Sequence, residues 1–149
     1  MVRVNLIDPS YLTDQHLLAE HNEILMLISY LKRYPMRSDE ADRIRIPERF
    51  TLGKGHMLFF KNKLLYIKRR HDSIREEMCR RGYTSRKVIS IECFPSVMLN
   101  DWRPEELDVR IIKARLIDKV KAKPWFYTYY KCKLYLEELV HLIEIATWH

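Results

Sequence analysis

The chain has 149 residues and a formal net charge of +7, with 47% hydrophobic residues but only three glycines. This length allows one sizeable core and predicts a single domain over residues 1–149. Glycine and proline are too sparse for a sandwich or barrel of many short strands, so the composition predicts an all-α fold, a compact bundle of three to four helices with long irregular loops.

The three cysteines, Cys79, Cys93 and Cys132, include no C-x-x-C pair, so neither a disulfide framework nor a zinc site is indicated. We expect reduced, buried thiols. No apolar run approaches the roughly 20 residues of a membrane span, and no signal-peptide segment opens the sequence. The sequence therefore predicts a cytoplasmic protein without a membrane partner. Since no nucleotide-binding fingerprint is present, we expect no cofactor.

The first predicted helix begins at Asp8-Pro9, with the aspartate as its cap and the proline at the first helical position. An apolar stripe continues to a stop at Pro35, and it consists of Leu17, Ile24, Leu27, Ile28 and Leu31. The following stretch from Pro35 to Leu52 is charged and irregular, which predicts a connecting loop.

The second predicted helix runs from Gly55 or His56 to Arg81, with Gly82 as the residue after its end. Its polar face is expected to carry a basic block, because Lys54 to Lys87 holds eleven Lys/Arg and three Asp/Glu. Such a block suits a polyanion, and a solvated surface helix is the alternative. Gly53-Lys54-Gly55 is interpreted as the turn that begins this helix, where one phosphate could be held.

The third predicted helix begins within residues 102–106 and ends before Pro124. Residues 125–130 contain five aromatic side chains beside Lys123. They indicate either core packing, which composition favours, or a surface on which bases stack. A further helical stripe marks an extra C-terminal segment at about residues 137–149, which either packs on the core or forms a dimer contact; we expect a monomer.

The N-terminus and the first helix carry the residues with catalytic potential. If Met1 is removed, the free α-amine belongs to Val2, and an amine that titrates at about pH 7.7–8.0 is partly nucleophilic at neutral pH. On the helix, His16, Glu20 and Glu23 share or border one face. That face can be a metal site, an ordinary polar face, or a place for acid/base work by Glu23, and the spacing leaves all three open.

Several blocks along residues 2–135 together resemble one enzyme family in their order and spacing. They are Arg3-Val4-Asn5-Leu6, residues 14–20 with Glu23, residues 52–56 with Phe59-Phe60, Lys63-Leu64, residues 80–83, residues 114–116 with Lys119, Pro124, Phe126-Tyr127 and Tyr129-Tyr130. This pattern is similar to that of the phage-type pyrimidine-dimer DNA glycosylases with apurinic/apyrimidinic lyase activity, also called the endonuclease V family of T-even phage.

The resemblance implies a metal-independent DNA repair enzyme. In that family the N-terminal segment threads between helices, and the terminal amine, here that of Val2, attacks C1′ of the damaged nucleotide to form a Schiff base. Glu23 would assist sugar opening and β-elimination. The implied partner is damaged double-stranded DNA containing pyrimidine dimers, kinked and with a flipped-out nucleotide. The expected DNA-binding residues are Arg3, His16, Asn22, Lys54, His56, Arg115, Lys119, Lys123, Phe126 and Tyr127.

Three positions depart from the family pattern. Val2 replaces a threonine, which leaves the backbone amine available. Asn22 and Met26 stand where the phage enzyme has arginines beside the catalytic glutamate. Either Lys54 or Lys32 resupplies the charge, or the protein takes a different lesion, or it acts mainly as an abasic-site lyase.

Two other functions are compatible with the same residues. A DNA-binding homologue without catalysis would explain Asn22 and Met26. A metal-dependent nuclease would use His16, Glu20 and Glu23.

Overall fold

The structure is a computed structural model that describes residues 3–36 and 45–149. Within these ranges there are five α-helices and one hairpin of two short antiparallel strands. The helices are α1 (Asp14–Arg33), α2 (His56–Phe59), α3 (Leu64–Arg80), α4 (Glu106–Ala122) and α5 (Leu136–Glu144). The strands β1 (Thr128–Tyr129) and β2 (Cys132–Lys133) lie between α4 and α5. The predicted mostly helical fold is confirmed, although the hairpin was not predicted.

Helix α1 begins later than the sequence indicated. The side chain of Asp8 accepts a hydrogen bond from the Ser10 N–H at 2.9 Å, but it caps only a short 3-10 turn, Pro9–Tyr11. Thr13 then caps α1 by accepting from the His16 N–H at 3.2 Å. The predicted start at Asp8 was therefore wrong, because a second cap residue follows the first.

Helix α1 ends at Arg33, just before Pro35, as predicted. Part of the predicted Pro35–Leu52 loop, residues 37–44, lies outside the described residues. Residues 45–52 contain no helix or strand.

The second predicted helix is divided into α2 and α3 by a turn at residues 60–63. Phe59 and Phe60 are both buried, and consecutive residues of one α-helix point about 100° apart, so a break after α2 lets both rings reach the core. The rings pack edge to face with their centroids 5.1 Å apart. Gly82 ends α3 with φ +83°, which confirms its predicted place after the helix.

The later helices begin near their predicted positions. Helix α4 begins with a capping box between Glu105 and Asp108 and ends before Pro124. The predicted C-terminal helical segment, about residues 137–149, is helical only over α5, and residues 145–149 follow without a helix. Helix α5 packs against α4 and buries Leu139 and Ile143. Its apolar face therefore belongs to the core of the same chain. Among the described helices, none combines the length and apolar character needed to cross a membrane.

Two expectations about side chains were wrong. The basic block does not lie wholly on the polar face of the second helix, because Arg70 and Arg81 are buried and paired with carboxylates. The cysteines Cys79, Cys93 and Cys132 are free but exposed. Sequence type alone cannot distinguish a surface arginine from one that is drawn inward by buried acids and backbone carbonyls.

Arg81 joins α1, α3 and the segment before α1 in one buried polar cluster. Its guanidinium donates to Asp14 at 3.0 Å and to Glu77 at 2.9 Å. It also donates to three backbone carbonyl oxygens, those of Pro9, Ser10 and Leu12. Since every direction of the guanidinium fork finds an acceptor, the desolvation of the charge is offset by a full set of hydrogen bonds.

Asp14 also fixes the hairpin. The two loop residues Tyr130 and Lys131 have φ of 51° and 64°, a conformation that non-glycine residues adopt at a cost. Their N–H groups donate to the Asp14 carboxylate at 3.1 and 2.7 Å, and the Thr128 hydroxyl donates to it at 2.6 Å. Gln15 accepts from the Thr128 N–H at 2.8 Å. The first turn of α1 therefore determines where the aromatic residues before the hairpin lie.

We expect Asp14→Ala to lower the free energy of unfolding by about 3–5 kcal/mol, because it leaves the Arg81 charge buried without one of its partners. The matched control is Glu106→Ala, which removes an exposed pair with Arg110 and should cost about 0–1 kcal/mol. Urea unfolding followed by circular dichroism measures both. Equal losses in the two variants would contradict the structural role of the cluster.

Candidate active site

The N-terminal segment, residues 3–8, is held by side chains of other elements. The Val4 N–H donates to His56 Nε2 at 3.0 Å, and the Asn5 N–H donates to Glu20 Oε1 at 3.2 Å. Val4, Leu6 and Ile7 are buried among the core residues. The segment thus passes through the fold between α1, α2 and α3, as the resemblance implied.

His56 holds this segment from the α2 side. Its Nδ1 lies 2.8 Å from the Thr51 carbonyl oxygen while Nε2 accepts from Val4, so the neutral ring carries its proton on Nδ1. Burial, together with the nearby Arg3 and Arg115 charges, lowers the pKa of His56 to about 4. At 1% exposure the ring offers almost no surface to a ligand. We therefore interpret it as a residue that positions the N-terminal segment.

Glu20 holds the segment from the α1 side. Arg70 contacts both oxygens of this buried carboxylate, with Nε at 2.6 Å and Nη2 at 3.0 Å, and it also donates to the carbonyl of Ile7. The ion pair therefore ties α1, α3 and the N-terminal segment together. Among the described residues, no group of three or more His, Cys, Asp or Glu side chains is arranged to hold a metal ion.

The N-terminal segment contains a tight turn at Leu6. Leu6 has φ 59°, and the Ile7 N–H donates to the Asn5 carbonyl at 2.5 Å. A leucine in this region of backbone space is strained, and such residues persist only where the surrounding contacts hold them. Here the restraints are the contacts to Glu20 and Arg70 on the two sides of the turn.

Glu23 lies about one turn beyond Glu20 on α1 and is half-buried. Burial and the neighbouring Glu20 carboxylate raise the pKa of Glu23, while the Arg115 charge and a hydrogen bond from the Arg3 backbone N–H act in the opposite direction. The N-terminal segment therefore reaches the Glu23 carboxylate. Val2, the predicted nucleophile, lies outside the described residues.

Arg115 of α4 borders Glu23, and it is part of a group of cationic and aromatic side chains from α1, α4 and the segment before the hairpin. Arg115 is half-buried, and its pKa is lowered by burial and by the Arg3 charge. The His16 ring stacks on Tyr127 with centroids 4.7 Å apart. Burial and the Arg115 and Lys119 charges lower the pKa of His16 to about 4. The structure therefore brings Arg3 and Arg115 to Glu23. His16, Lys119 and Tyr127 lie near Arg115 or beside one another on the same side.

The remaining predicted contacts lie farther along the surface or beside the cluster. Asn22 is exposed next to Glu23, and its Oδ1 lies 3.0 Å from His21 Nδ1. Lys54 is exposed in the turn before α2, and Lys123 is exposed at the C-terminal cap of α4. Met26 is 59% exposed.

The aromatic residues of 125–130 divide between the core and the surface. Tyr127 is buried, which agrees with the core-packing interpretation. Trp125 and Phe126 are 68% and 53% exposed, so they form an apolar surface beside Lys123. Composition could not separate the two groups, because the division depends on how the hairpin is attached to Asp14.

Two residues that support the site were not predicted from the sequence. They are Arg70, which binds Glu20, and Gln15, which binds the hairpin. Arg70 stood within a basic block that suggested only surface charge. Gln15 stood within the resembling block and showed no feature of its own, although it accepts from the Thr128 backbone.

We expect acid to destabilise the fold through its buried histidines. His56 titrates at its ordinary value of 6.5 when unfolded and at about 4 when folded, and His16 and His71 show the same lowered pKa. Between these values the unfolded chain binds more protons, so the free energy of unfolding should fall as pH falls from 6.5 toward 4.

In His56→Gln this pH-dependent loss should shrink by about a third, because one of the three groups is removed. Val88→Ala, which changes an exposed residue that does not titrate, is the control and should leave the slope unchanged. Urea titrations at several pH values give the slopes. An unchanged slope in His56→Gln would contradict the burial of a neutral imidazole.

One comparison with known proteins identifies a family. A family model described as pyrimidine dimer DNA glycosylase matches residues 1–90. The matched range includes the N-terminal segment, α1, α2 and α3, and therefore Glu20, Glu23 and His56.

Proposed function

The chain belongs to the pyrimidine dimer DNA glycosylase family, and on that premise we propose that it is a bifunctional DNA glycosylase and abasic-site lyase that acts on damaged duplex DNA. The observation that carries this proposal is the hydrogen bond between the Arg3 backbone N–H and Glu23. Val2 is joined directly to that nitrogen, so its amine is expected beside a carboxylate on α1 once Met1 is removed.

The proposed reaction begins when the Val2 amine attacks C1′ of the damaged nucleotide. A C1′–N bond forms and the bond to the base breaks, with the electron pair leaving on the base. Opening of the sugar ring transfers a proton to O4′ and gives an imine. Removal of a C2′ proton then breaks the C3′–O bond, which nicks the strand by β-elimination.

Glu23 is proposed as the acid and base in these steps. Because burial and Glu20 raise its pKa, its carboxyl group is better able to hold a proton for O4′ than an exposed glutamate would be. After that transfer, the carboxylate can accept the C2′ proton and stabilise the cationic imine. The nearby Arg115 charge acts in the opposite direction and limits the rise of the Glu23 pKa.

DNA binding is proposed to use the cationic side chains near Glu23 and the apolar surface formed by Trp125 and Phe126. Arg3, Arg115 and Lys119 would contact phosphates on the side of Glu23, with Lys54 and Lys123 at a greater distance. His16 and Tyr127 form a stacked pair that would border the flipped nucleotide, and Phe126 is exposed beside them. Asn22 would contact the substrate through its exposed amide.

A DNA-binding homologue without catalysis is the second candidate. Its specific support is the exposed Met26 and Asn22, which replace cations beside Glu23. This candidate shares the binding surface with the first and differs in lacking imine formation. Strand cleavage by Glu23→Gln and borohydride trapping distinguish the enzyme from the non-catalytic homologue.

We expect Glu23→Gln to slow strand cleavage at an abasic site by on the order of 10²–10⁴-fold, because it removes the acid/base group. The Kd for the same duplex should stay within about threefold, since phosphate contacts carry most of the affinity. Glu106→Gln, on the exposed face of α4, is the matched control and should keep full activity. Full cleavage by Glu23→Gln would refute the assigned role.

We expect borohydride to trap the protein on a duplex with one abasic site, with the adduct at Val2 in chains that lack Met1. Peptide mass spectrometry locates the attachment. The rival amine is Lys63, because burial lowers its pKa to about 8. Lys63→Arg should therefore trap as well as the wild type. An adduct at Lys63 would overturn the proposed nucleophile, and binding without any adduct would favour the non-catalytic homologue.

A further inference from the structure

The segment after α5, residues 145–149, is named here the C-terminal tail, and it lies outside the range that the family model matches. It contacts the N-terminal segment directly. The Asp8 N–H donates to the Thr147 carbonyl at 2.7 Å, and Ile7 and Trp148 form an antiparallel β-bridge. The tail therefore supplies the strand-like partner of the segment that leads to the proposed nucleophile.

The tail is itself attached to the fold. Ala146 is buried at 2% exposure, and Trp148 packs against the core. Lys113 of α4 donates to the Glu144 carbonyl at 2.9 Å, and its Nζ lies 5.6 Å from the centre of the Trp148 ring. The tail is thus fixed to α4, the helix that also carries Arg115 and Lys119.

We propose that the C-terminal tail is a positioning element that sets the register of the N-terminal segment relative to Glu23. This inference rests on the proposed function, because it concerns the nucleophile of that reaction. His56 and Glu20 hold the segment before the turn at Leu6, whereas the tail holds it after the turn.

The turn explains why a second point of attachment matters. Leu6 is held at φ 59°, so relaxation of the backbone is favoured wherever the flanking residues are released. Without the tail, Ile7 retains the Arg70 contact but Asp8 loses its backbone partner. A displacement of about 1 Å at a reacting group can cost roughly 100-fold in rate. The tail should therefore affect the chemical step more than DNA binding.

The sharpest test compares two variants of Asp8. Asp8 has φ −53°, which a proline can adopt, and Asp8→Pro removes the N–H that contacts Thr147. The ring Cδ takes the place of that hydrogen, so it also pushes the Thr147 carbonyl away and detaches the tail at this point. Asp8→Ala keeps that N–H and loses the same carboxylate, including its weak 3.5 Å pair with His149. Because both variants lack the carboxylate, their comparison isolates the attachment of the tail at Asp8.

The measurement is single-turnover borohydride trapping on an abasic duplex, with the Kd determined in parallel. We expect Asp8→Pro to lower the trapping rate constant 10–100-fold, roughly the cost of a small misplacement of a reacting group, relative to Asp8→Ala. The Kd values should agree within about threefold. A purely structural role would lower the amplitude, which reports the folded fraction, and leave the rate constant unchanged. Equal rate constants would overturn the proposal.

A second comparison applies if Asp8→Pro folds poorly. Trp148→Ala loosens the tail, whereas Ile145→Ala alters an exposed residue of the same tail. Only the first should lower the rate constant, and equal rate constants would again overturn the proposal. Wild-type protein that binds the duplex but never traps it would instead contradict the proposed function, so the two failures are distinguishable.

Discussion

The buried ion pair between Glu20 and Arg70 is the interaction on which the candidate site depends. Removing two charges from water costs several kcal/mol per ion, and mutual attraction offsets this only when the remaining donors and acceptors are also satisfied. Here the carboxylate binds Arg70 through both oxygens and accepts the Asn5 N–H, while the guanidinium also reaches the Ile7 carbonyl. The same contacts that satisfy the pair hold the N-terminal segment, so its stability and the site geometry have a common cause.

The two glutamates of α1 show how the environment divides one residue type into two roles. Glu20 is fully buried and committed to Arg70. Glu23 is half-buried, and its pKa is raised by burial and by the negative charge of Glu20. The buried pair therefore acts on the proposed acid/base group electrostatically as well as by holding the backbone that reaches it. Pairs of carboxylates with divergent environments are a common way to obtain different protonation behaviour at one site.

The surroundings of Glu23 combine fixed cations with neutral histidines. The Arg3 guanidinium lies close enough to Arg115 to lower the pKa of Arg115, and burial keeps His16 and His56 neutral near Arg115. Additional imidazolium charges would add repulsion to a site that already concentrates positive charge. The Asp14–Arg81 cluster determines the position of the aromatic residues at the site. Asp14 pairs with Arg81 and also accepts the hairpin N–H groups. The hairpin is thereby held where Tyr127 stacks on His16.

The sequence by itself determined the family of the chain. It also determined the secondary-structure elements that depend on local patterns. The apolar stripe of α1, the glycine after α3, the helix after Pro104 and the helical C-terminal segment follow from periodicity and chain punctuation, which act within a few residues. Tertiary structure decided which charges are buried. Arg70 and Arg81 look like other basic residues in sequence, and they are internal because distant acids and carbonyls meet them. It also decided that His56 lies inside the fold, that Tyr127 is buried while Phe126 is exposed, and that residues 147 and 148 pair with residues 7 and 8. These features depend on contacts between residues far apart in the chain, and local sequence patterns do not predict such contacts.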